Sequence, residues 1–490
     1  MVMESSQPLL PIAIVLAVSI LIMVSRKRPN LREFWSVGGA VAVFLAVVNM
    51  VPAIQSGQTL VYTLSSIAPG ISLNFRVDAL SLIFGLVSSF LWIFASFYNI
   101  GYMRSLNEHA QTRYYTCFAI AILGAQGVSY AGSLFTLYLF YEIITLFTYP
   151  LVAHHQDEEG YAGAKKYLVY LLGTSKGLLL PALILTYVMT GTLDFAPDIR
   201  GGIFPAGADQ LWIMVTYGLF MFGFAKAAVM PLHNWLPSAM VAPTPVSALL
   251  HAVAVVKAGV FCICRVMLYT FGTNMLQNLG LGIVTAYFVA FTILMASVLA
   301  LTKDDLKARL AYSTVSQLSY IILGVALLDN SGVLGGIIHI VNHGFSKITL
   351  FFCAGAIYVA HHKKKISDMA GIGYAMPFTM GAFALASLSM IGVPPVAGFV
   401  TKWYLLNGAL AIHSLPLVIV LMASSLLNAA YFLPITLRAF FTGRKEGGWS
   451  RADIKEAPLS MVIPLVAASL ISLLLGVYPG FFIDLIGKIF

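Results

Sequence analysis

The chain has 490 residues, of which 59% are hydrophobic and only 10% charged, against roughly 25% charged in an ordinary soluble domain. With a mean hydropathy of +0.89, these figures exclude a soluble globular enzyme, a disordered chain and a disulfide scaffold. A net charge of +9 would suggest nucleic acid in a soluble protein, but here it must first be tested against membrane topology.

Taken in chain order, the apolar runs predict about fourteen helices, each long enough to cross a bilayer, which requires roughly 20 residues. They fall near 8–25, 35–53, 79–100, 115–131, 133–153, 165–190, 211–230, 246–270, 281–301, 310–328, 333–360, 373–408, 413–437 and 459–480. The first run is not expected to be a cleaved signal peptide, because its basic cluster follows the apolar stretch instead of preceding it. Cys117, Cys262, Cys264 and Cys353 all lie in apolar runs and form no CxxC. Iron–sulfur or structural zinc ligation is therefore not expected, nor any cofactor or metal.

Nineteen of the 28 lysines and arginines fall in loops that join an odd-numbered span to the next even one. They are Arg26, Lys27, Arg28 and Arg32; Arg104 and Arg113; Lys165 and Lys166; Lys303, Lys307 and Arg309; Lys363, Lys364 and Lys365; and Arg438, Arg444, Lys445, Arg451 and Lys455. The opposite side carries only Arg76, Arg200 and Lys488. Positive loops stay in the cytoplasm, so both termini are expected on the outer side of the cell (inner) membrane. The excess charge then sets topology, and no nucleic acid need be invoked.

Six basic residues remain inside predicted spans: Lys176, Lys226, Lys257, Arg265, Lys347 and Lys402. A charge at the bilayer centre costs at least a few kcal/mol and persists only with a partner, water or a function. Glu142, in TLYLFYEIITLFTYP, lies about nine residues into its span, which is near mid-bilayer at 1.5 Å per residue. Lys257, in HAVAVVKAGVF, and Lys176 are similarly deep. Lys226 precedes Pro231, and Lys402 follows Pro394 and Pro395. Proline interrupts a membrane helix, and one broken helix in each half of a chain is the pattern of inverted-repeat transporters. In GIIHIVNHGFSKITLFF, His339, His343 and Lys347 are spaced four apart and share a helix face. Such a row can relay protons through side chains and intervening water. His251 lies six residues before Lys257, on a different part of its helix. A buried lysine can cycle between charge states, whereas an arginine stays charged.

Simpler roles compete. A Glu–Lys pair can be a structural clamp, Arg265 and Lys176 can clamp or snorkel, and Asp78 at a helix start reads as an N-cap. His154 and His155 are loop residues with no assigned role. The H-x-x-x-H spacing fits a metal pair, but no third ligand is near in sequence. What exceeds these readings is number: one acid, five lysines and three histidines spread over spans 5, 6, 7, 8, 11 and 12.

The stretches KAAVMPLHNWLPSAMVAPTPVSALLHAVAVVKAGV, AYSTVSQLSYIILG, HIVNHGFSKITLFFCAGAIY and GVPPVAGFVTKWYLL resemble the proton-translocating antiporter-type subunit family. That family includes the D-type subunit of Mrp sodium/proton antiporters, the antiporter-like subunits of respiratory complex I and those of membrane-bound hydrogenases. The resemblance runs from about residue 75 to 440. It implies an all-α integral membrane fold of fourteen helices with two inverted five-helix repeats, spans 4–8 and 9–13, and with spans 7 and 12 broken. Segments 1–112, 113–270, 281–437 and 438–490 then hold the N-terminal spans, the two repeats, and the last loop with span 14. It also implies that Glu142 pairs with Lys226, that Lys257 is the central proton carrier, that His339, His343 and Lys347 relay onward, and that Lys402 ends the path. His251 and Lys176 join the relay by position. Lys402, where other branches have Glu, fits a D-type or N-type subunit better than an M-type one. The absence of a long extension after span 14 disfavours L-type and A-type subunits. Ser238 stands where relatives often carry an acid, and Lys176 matches no family position.

The resulting expectation is the D-type subunit of a multi-subunit sodium/proton antiporter, with other membrane subunits as partners and protons, with or without sodium, as cargo. The alternative is a proton-pumping subunit in the membrane arm of a redox-driven complex: a hydrogenase, a formate hydrogenlyase or a quinone oxidoreductase. The chain itself carries no redox chemistry. A twelve-helix solute carrier and a purely structural subunit are the rivals from other classes.

Overall fold

The computed structural model describes residues 2–442 and 454–490. Arg444, Lys445 and Arg451 of the last basic loop lie outside the described residues. The protein is mostly helical (76%). In chain order the principal helices are α1 (Leu9–Val24), α2 (Pro29–Val48), α3 (Ala79–Ser105), α4 (Gln111–Ser129), α5 (Leu134–Val152), α6 (Glu158–Thr174), α7 (Leu180–Thr190), α8 (Gln210–Gly223) and α9 (Val255–Val266). They continue as α10 (Leu281–Leu301), α11 (Leu306–Ala326), α12 (Asn330–His361), α13 (Pro377–Ile391), α14 (Ala397–Ala411), α15 (Leu415–Phe441), α16 (Leu459–Val477) and α17 (Gly480–Gly487). Among the described residues, nine helical stretches are long and apolar enough to cross a membrane, and Leu9–Val24, Gln210–Gly223 and Pro377–Ile391 are shorter apolar helices.

Acidic residues begin many of these helices. Asp78, Asp157, Asp209, Asp305 and Asp329 each accept a hydrogen bond from a first-turn backbone N–H. This satisfies donors that a helix start leaves unpaired. Five of only 19 acidic residues are thereby accounted for by local structure, which leaves few acids available to neutralise buried lysines.

The all-α expectation needs correction. A three-stranded sheet joins β1 (Val2–Glu4), β2 (Thr59–Ala68) and β3 (Ile71–Val77), with β1 parallel and β3 antiparallel to β2. Its cause is local: two runs rich in β-branched and aromatic residues flank a Pro69-Gly70 turn. The hairpin covers a helix end, where Phe75 bridges to Ala131.

Two segments form the centre of the bundle. Thr244–Phe271, which contains α9, and Asn330–His361, which is α12, are the two candidate spans whose apolar windows are completely enclosed. By contrast, Glu158–Thr190 and Leu415–Phe441 face outward over most of their surface. The two central segments hold His251, Lys257, Arg265, His339, His343 and Lys347. The most polar spans are therefore the most enclosed, as expected when a charge is expensive against lipid.

Arg265 is a clamp. Its guanidinium pairs with the Asp78 carboxylate through NH1–Oδ2 at 2.5 Å and NH2–Oδ1 at 3.0 Å, and Arg76 reaches the same carboxylate at 3.3 Å. Tyr269, Phe261 and Phe195 enclose its cationic face. Asp78 caps α3 through the Ser81 N–H, as its position at the helix start suggests.

Candidate functional site

The first half of the site is built on α5, on the junction of α6 with α7, and on the break after α8. Between α6 and α7 a π turn, Ser175–Leu179, adds a residue to the helical register. It brings Ser175 and Lys176 against Glu142. The Ser175 hydroxyl donates to the Glu142 carboxylate, and Lys176 Nζ lies 3.5 Å from it. Lys176 also donates to the Tyr138 hydroxyl at 2.6 Å.

Lys226 does not pair with Glu142, so the expected pair is corrected. Its ammonium donates to the Tyr141 carbonyl at 2.7 Å and to Thr145 Oγ1 at 2.7 Å, over the Tyr141 ring. The reason is geometric. Helix α8 stops at Gly223, and Lys226 sits on a single 3₁₀ turn, Ala225–Ala227, held where Trp235 Nε1 donates to the Ala225 carbonyl at 2.9 Å. The turn nests against Gly259 of α9, where a Cβ would collide with the backbone of Lys226 and Ala227. Only a glycine allows that approach. A Gly259→Ala variant is expected to lose about 1–3 kcal/mol by overpacking, seen as a lower melting midpoint of the purified protein. An unchanged midpoint would mean that the turn is free to retreat.

Lys257 is fully buried, and its Nζ donates to the Ile340 carbonyl of α12 at 2.9 Å. It follows a π turn, Leu249–Val253, that carries His251. The His251 ring stacks on Phe351 with centroids 4.4 Å apart. On α12, His339 and His343 have ring centroids 5.5 Å apart, and His339 Nδ1 lies 3.2 Å from Thr401 Oγ1. Lys347, one turn further, donates to the Leu310 carbonyl at 3.1 Å and Ser313 Oγ at 2.9 Å. Neither nitrogen of His251 or His343 has a hydrogen-bond partner among the described residues.

The far end is formed where α13 stops at Ile391 and α14 resumes at Ala397. Gly392 takes a left-handed φ of 87° there, and a Cβ on it would lie 2.6 Å from the Lys402 side chain. Lys402 donates to the Ile391 carbonyl freed by the break and to Ser425 Oγ at 2.8 Å. Proline and glycine thus supply an acceptor to the lysine at this break.

Several polar residues of this axis escape sequence reasoning. Asn342 donates to the Ala397 carbonyl at 2.8 Å and Thr401 Oγ1 at 3.0 Å, tying α12 to α14. Ser346 bonds Ser389 at 2.8 Å. Tyr431 donates to Ser313 at 3.1 Å, and Tyr320 to Ser424 at 2.7 Å. The signal available is a second polar stripe on α12, with His339, Asn342 and Ser346 at offsets of three and four.

Residues 131–428 match the family described as NADH:quinone oxidoreductase/Mrp antiporter, transmembrane. The chain is 32% identical over 499 residues to NADH-quinone oxidoreductase subunit N of Desulforudis audaxviator, covering 96% of each. It is 27% identical to Na(+)/H(+) antiporter subunit A1 of Staphylococcus haemolyticus, covering 90% of this chain but only 57% of that one. Its fold superposes on a chain of the Mrp complex from Dietzia with a TM-score of 0.86 at 24% identity, covering 99% and 96%. It superposes equally well, with a TM-score of 0.86 at 25% identity, on a chain of an archaeal membrane-bound sulfane sulfur reductase, covering 99% and 97%. The protein is a multi-pass membrane protein of the antiporter-like class found in Mrp and complex I-type assemblies. It belongs to the NADH:quinone oxidoreductase/Mrp antiporter family.

Proposed function

We propose that this chain carries protons across the cell membrane, as one subunit of a multi-subunit complex, along Glu142, Lys226, Lys257, the α12 histidines and Lys402. The observation that carries this reading is a contrast. Arg265, whose role is structural, is paired with a carboxylate. Among the described residues, the ammonium groups of Lys226, Lys257, Lys347 and Lys402 donate to carbonyl and hydroxyl oxygens and form no salt bridge. A clamp matches charge with charge, because an unmatched buried charge is costly. Four lysines without a salt-bridge partner suit groups that gain and lose a proton.

Glu142 is the control element in this scheme. Held by Ser175 and Lys176, it leaves Lys226 without a counter-charge and favours release of its proton towards Lys257. Swung to Lys226, it stabilises the ammonium and favours uptake. His343 and His339 pass the proton on, with Lys347 beside them and His251 behind Lys257, and Lys402 delivers it. Neutralising Lys176 (Lys176→Met) is then expected to lower transport several-fold by freeing Glu142. If Lys226 were the resting partner, that substitution would leave transport unchanged.

In this scheme the chain makes fourteen crossings, with inverted repeats over 113–270 and 281–437 and both termini on the outer side. For the assembly we propose a D-type subunit of a monovalent cation (sodium)/proton antiporter, supported by the family match and by the similarity to a Na(+)/H(+) antiporter subunit. The full-length similarity to a quinone oxidoreductase subunit N favours a second reading, a proton-pumping subunit of a redox-driven complex. Purification of the tagged protein in mild detergent separates them: small antiporter subunits co-purify in the first case, iron–sulfur or hydrogenase-like subunits in the second. In membrane vesicles a sodium gradient drives proton movement only in the first. Normal transport after joint loss of Glu142 and Lys257 would reduce the chain to a structural role.

A further inference from the structure

Two histidines and an acid outside the buried axis converge at one end of the bundle. The turn between α3 and α4 is tight: Asn107 and Ala110 both have left-handed φ, of 50° and 47°. It presents Glu108 and His109 side by side. The turn after α5 presents His154 and His155. Arg113 donates to the His154 carbonyl at 3.0 Å, and Gln111 Nε2 donates to the Glu108 carbonyl at 3.1 Å, so both turns are fixed by α4. One ligand atom each from Glu108, His109 and His154 lies within 4.8 Å of the other two.

The His154 ring is fully buried, between His109 at 4.7 Å and the edge of Tyr114 at 5.5 Å. Its Nδ1 has no hydrogen-bond partner among the described residues, and its Nε2 faces Glu108 Oε2 at 3.4 Å. An enclosed imidazole facing a carboxylate and a second imidazole sets three ligand atoms where one ion could be shared by all of them. His109 is exposed and gives access from water.

We propose that Glu108, His109 and His154 form a binding site for a first-row divalent transition-metal ion, with zinc the best fit. Two imidazoles and one carboxylate with a fourth position left to water is a recurrent zinc donor set. Ligand atoms around tetrahedral zinc lie about 3.4 Å apart, from bond lengths near 2.0–2.2 Å. The Glu108–His154 separation already meets this, and rotation of the exposed His109 closes the rest. His155, whose Nδ1 is 3.8 Å from Glu108 Oε2, stands by as an alternative fourth donor. The bound ion would staple the α3–α4 turn to the end of α5. The site also adjoins the mouth of a cavity of about 670 Å³ lined by Glu108, His155, Asp157, Lys307 and Lys364, so occupancy would withdraw one carboxylate from that mouth.

The test uses the full chain, with its co-purifying subunits and without a polyhistidine tag, stripped by chelator and titrated with zinc chloride against a chromophoric chelator. One zinc per chain is expected, with a higher melting midpoint on binding. His109→Ala and Glu108→Gln should each weaken binding by about 10-fold or more. His109→Cys, which supplies a thiolate, should retain it, and His413→Asn on a distant exposed loop should not affect it. His109 is exposed, so its variants fold whether or not His154 tolerates change. Absence of zinc binding in molar excess, or wild-type binding by both His109→Ala and Glu108→Gln, would overturn the proposal.

Discussion

Replacing Lys257 by alanine is expected to lower proton transport by roughly two orders of magnitude or more, the usual loss when a proton-transfer group is removed, while assembly stays intact. Lys257 has one polar contact across the bundle centre, to the Ile340 carbonyl. No carboxylate is left unpaired when it goes, so the structural cost is that of a cavity alone. Lys257→Arg should be nearly as inactive, because a guanidinium keeps the charge but does not give up its proton. The pair separates two roles for the position. If charge alone mattered, arginine would restore transport; if only packing mattered, both variants would lose assembly together. The measurement is proton uptake by vesicles containing equal amounts of assembled complex. Transport by Lys257→Ala at the wild-type rate would remove the central carrier from the path.

The parts of this protein that the sequence reveals are those governed by one-dimensional physics. A bilayer requires runs of about 20 apolar residues, and the runs stand out whatever the tertiary packing. Lysines inside such runs are visible for the same reason, as are the breaks at Pro231 and at Pro394-Pro395. What stays hidden depends on rotation and distance. The partner of Glu142 is not legible because the π turn at Ser175–Leu179 shifts the register of the helix, and that extra residue has no compositional mark. In the sequence Lys176 is one lysine among several, yet it is the ammonium beside Glu142. The β2–β3 hairpin lies in a segment too polar to be a span, and its alternation and Pro-Gly turn are readable only once strands are sought. Asp78 reads correctly as a cap, but its second bond is to a residue 187 positions away, which no local pattern encodes. The cluster of Glu108, His109 and His154 likewise joins two loops separated by a whole helix hairpin.

Breaking the Asp78–Arg265 pair should have the largest effect on stability. Arg265 is fully buried and Asp78 nearly so. Removing one member of a buried pair leaves an uncompensated charge and costs about 3–5 kcal/mol. The two single variants are not equivalent. Arg265→Met leaves the Asp78 carboxylate with Arg76 at 3.3 Å and the Ser81 N–H at 3.0 Å, so its cost should fall at or below the lower end. Asp78→Ala leaves the Arg265 guanidinium among Phe195, Phe261 and Tyr269 with no acid and also removes the cap of α3, which adds about 1 kcal/mol. It should therefore be the worse of the two. The double variant Asp78→Ala, Arg265→Met should recover part of the loss, because replacing a whole buried pair by apolar groups is often close to neutral. Melting midpoints of the four proteins in detergent give the cycle directly. A double variant less stable than Asp78→Ala alone would show that the aromatic box around Arg265, and not the ion pair, holds α3 to α9.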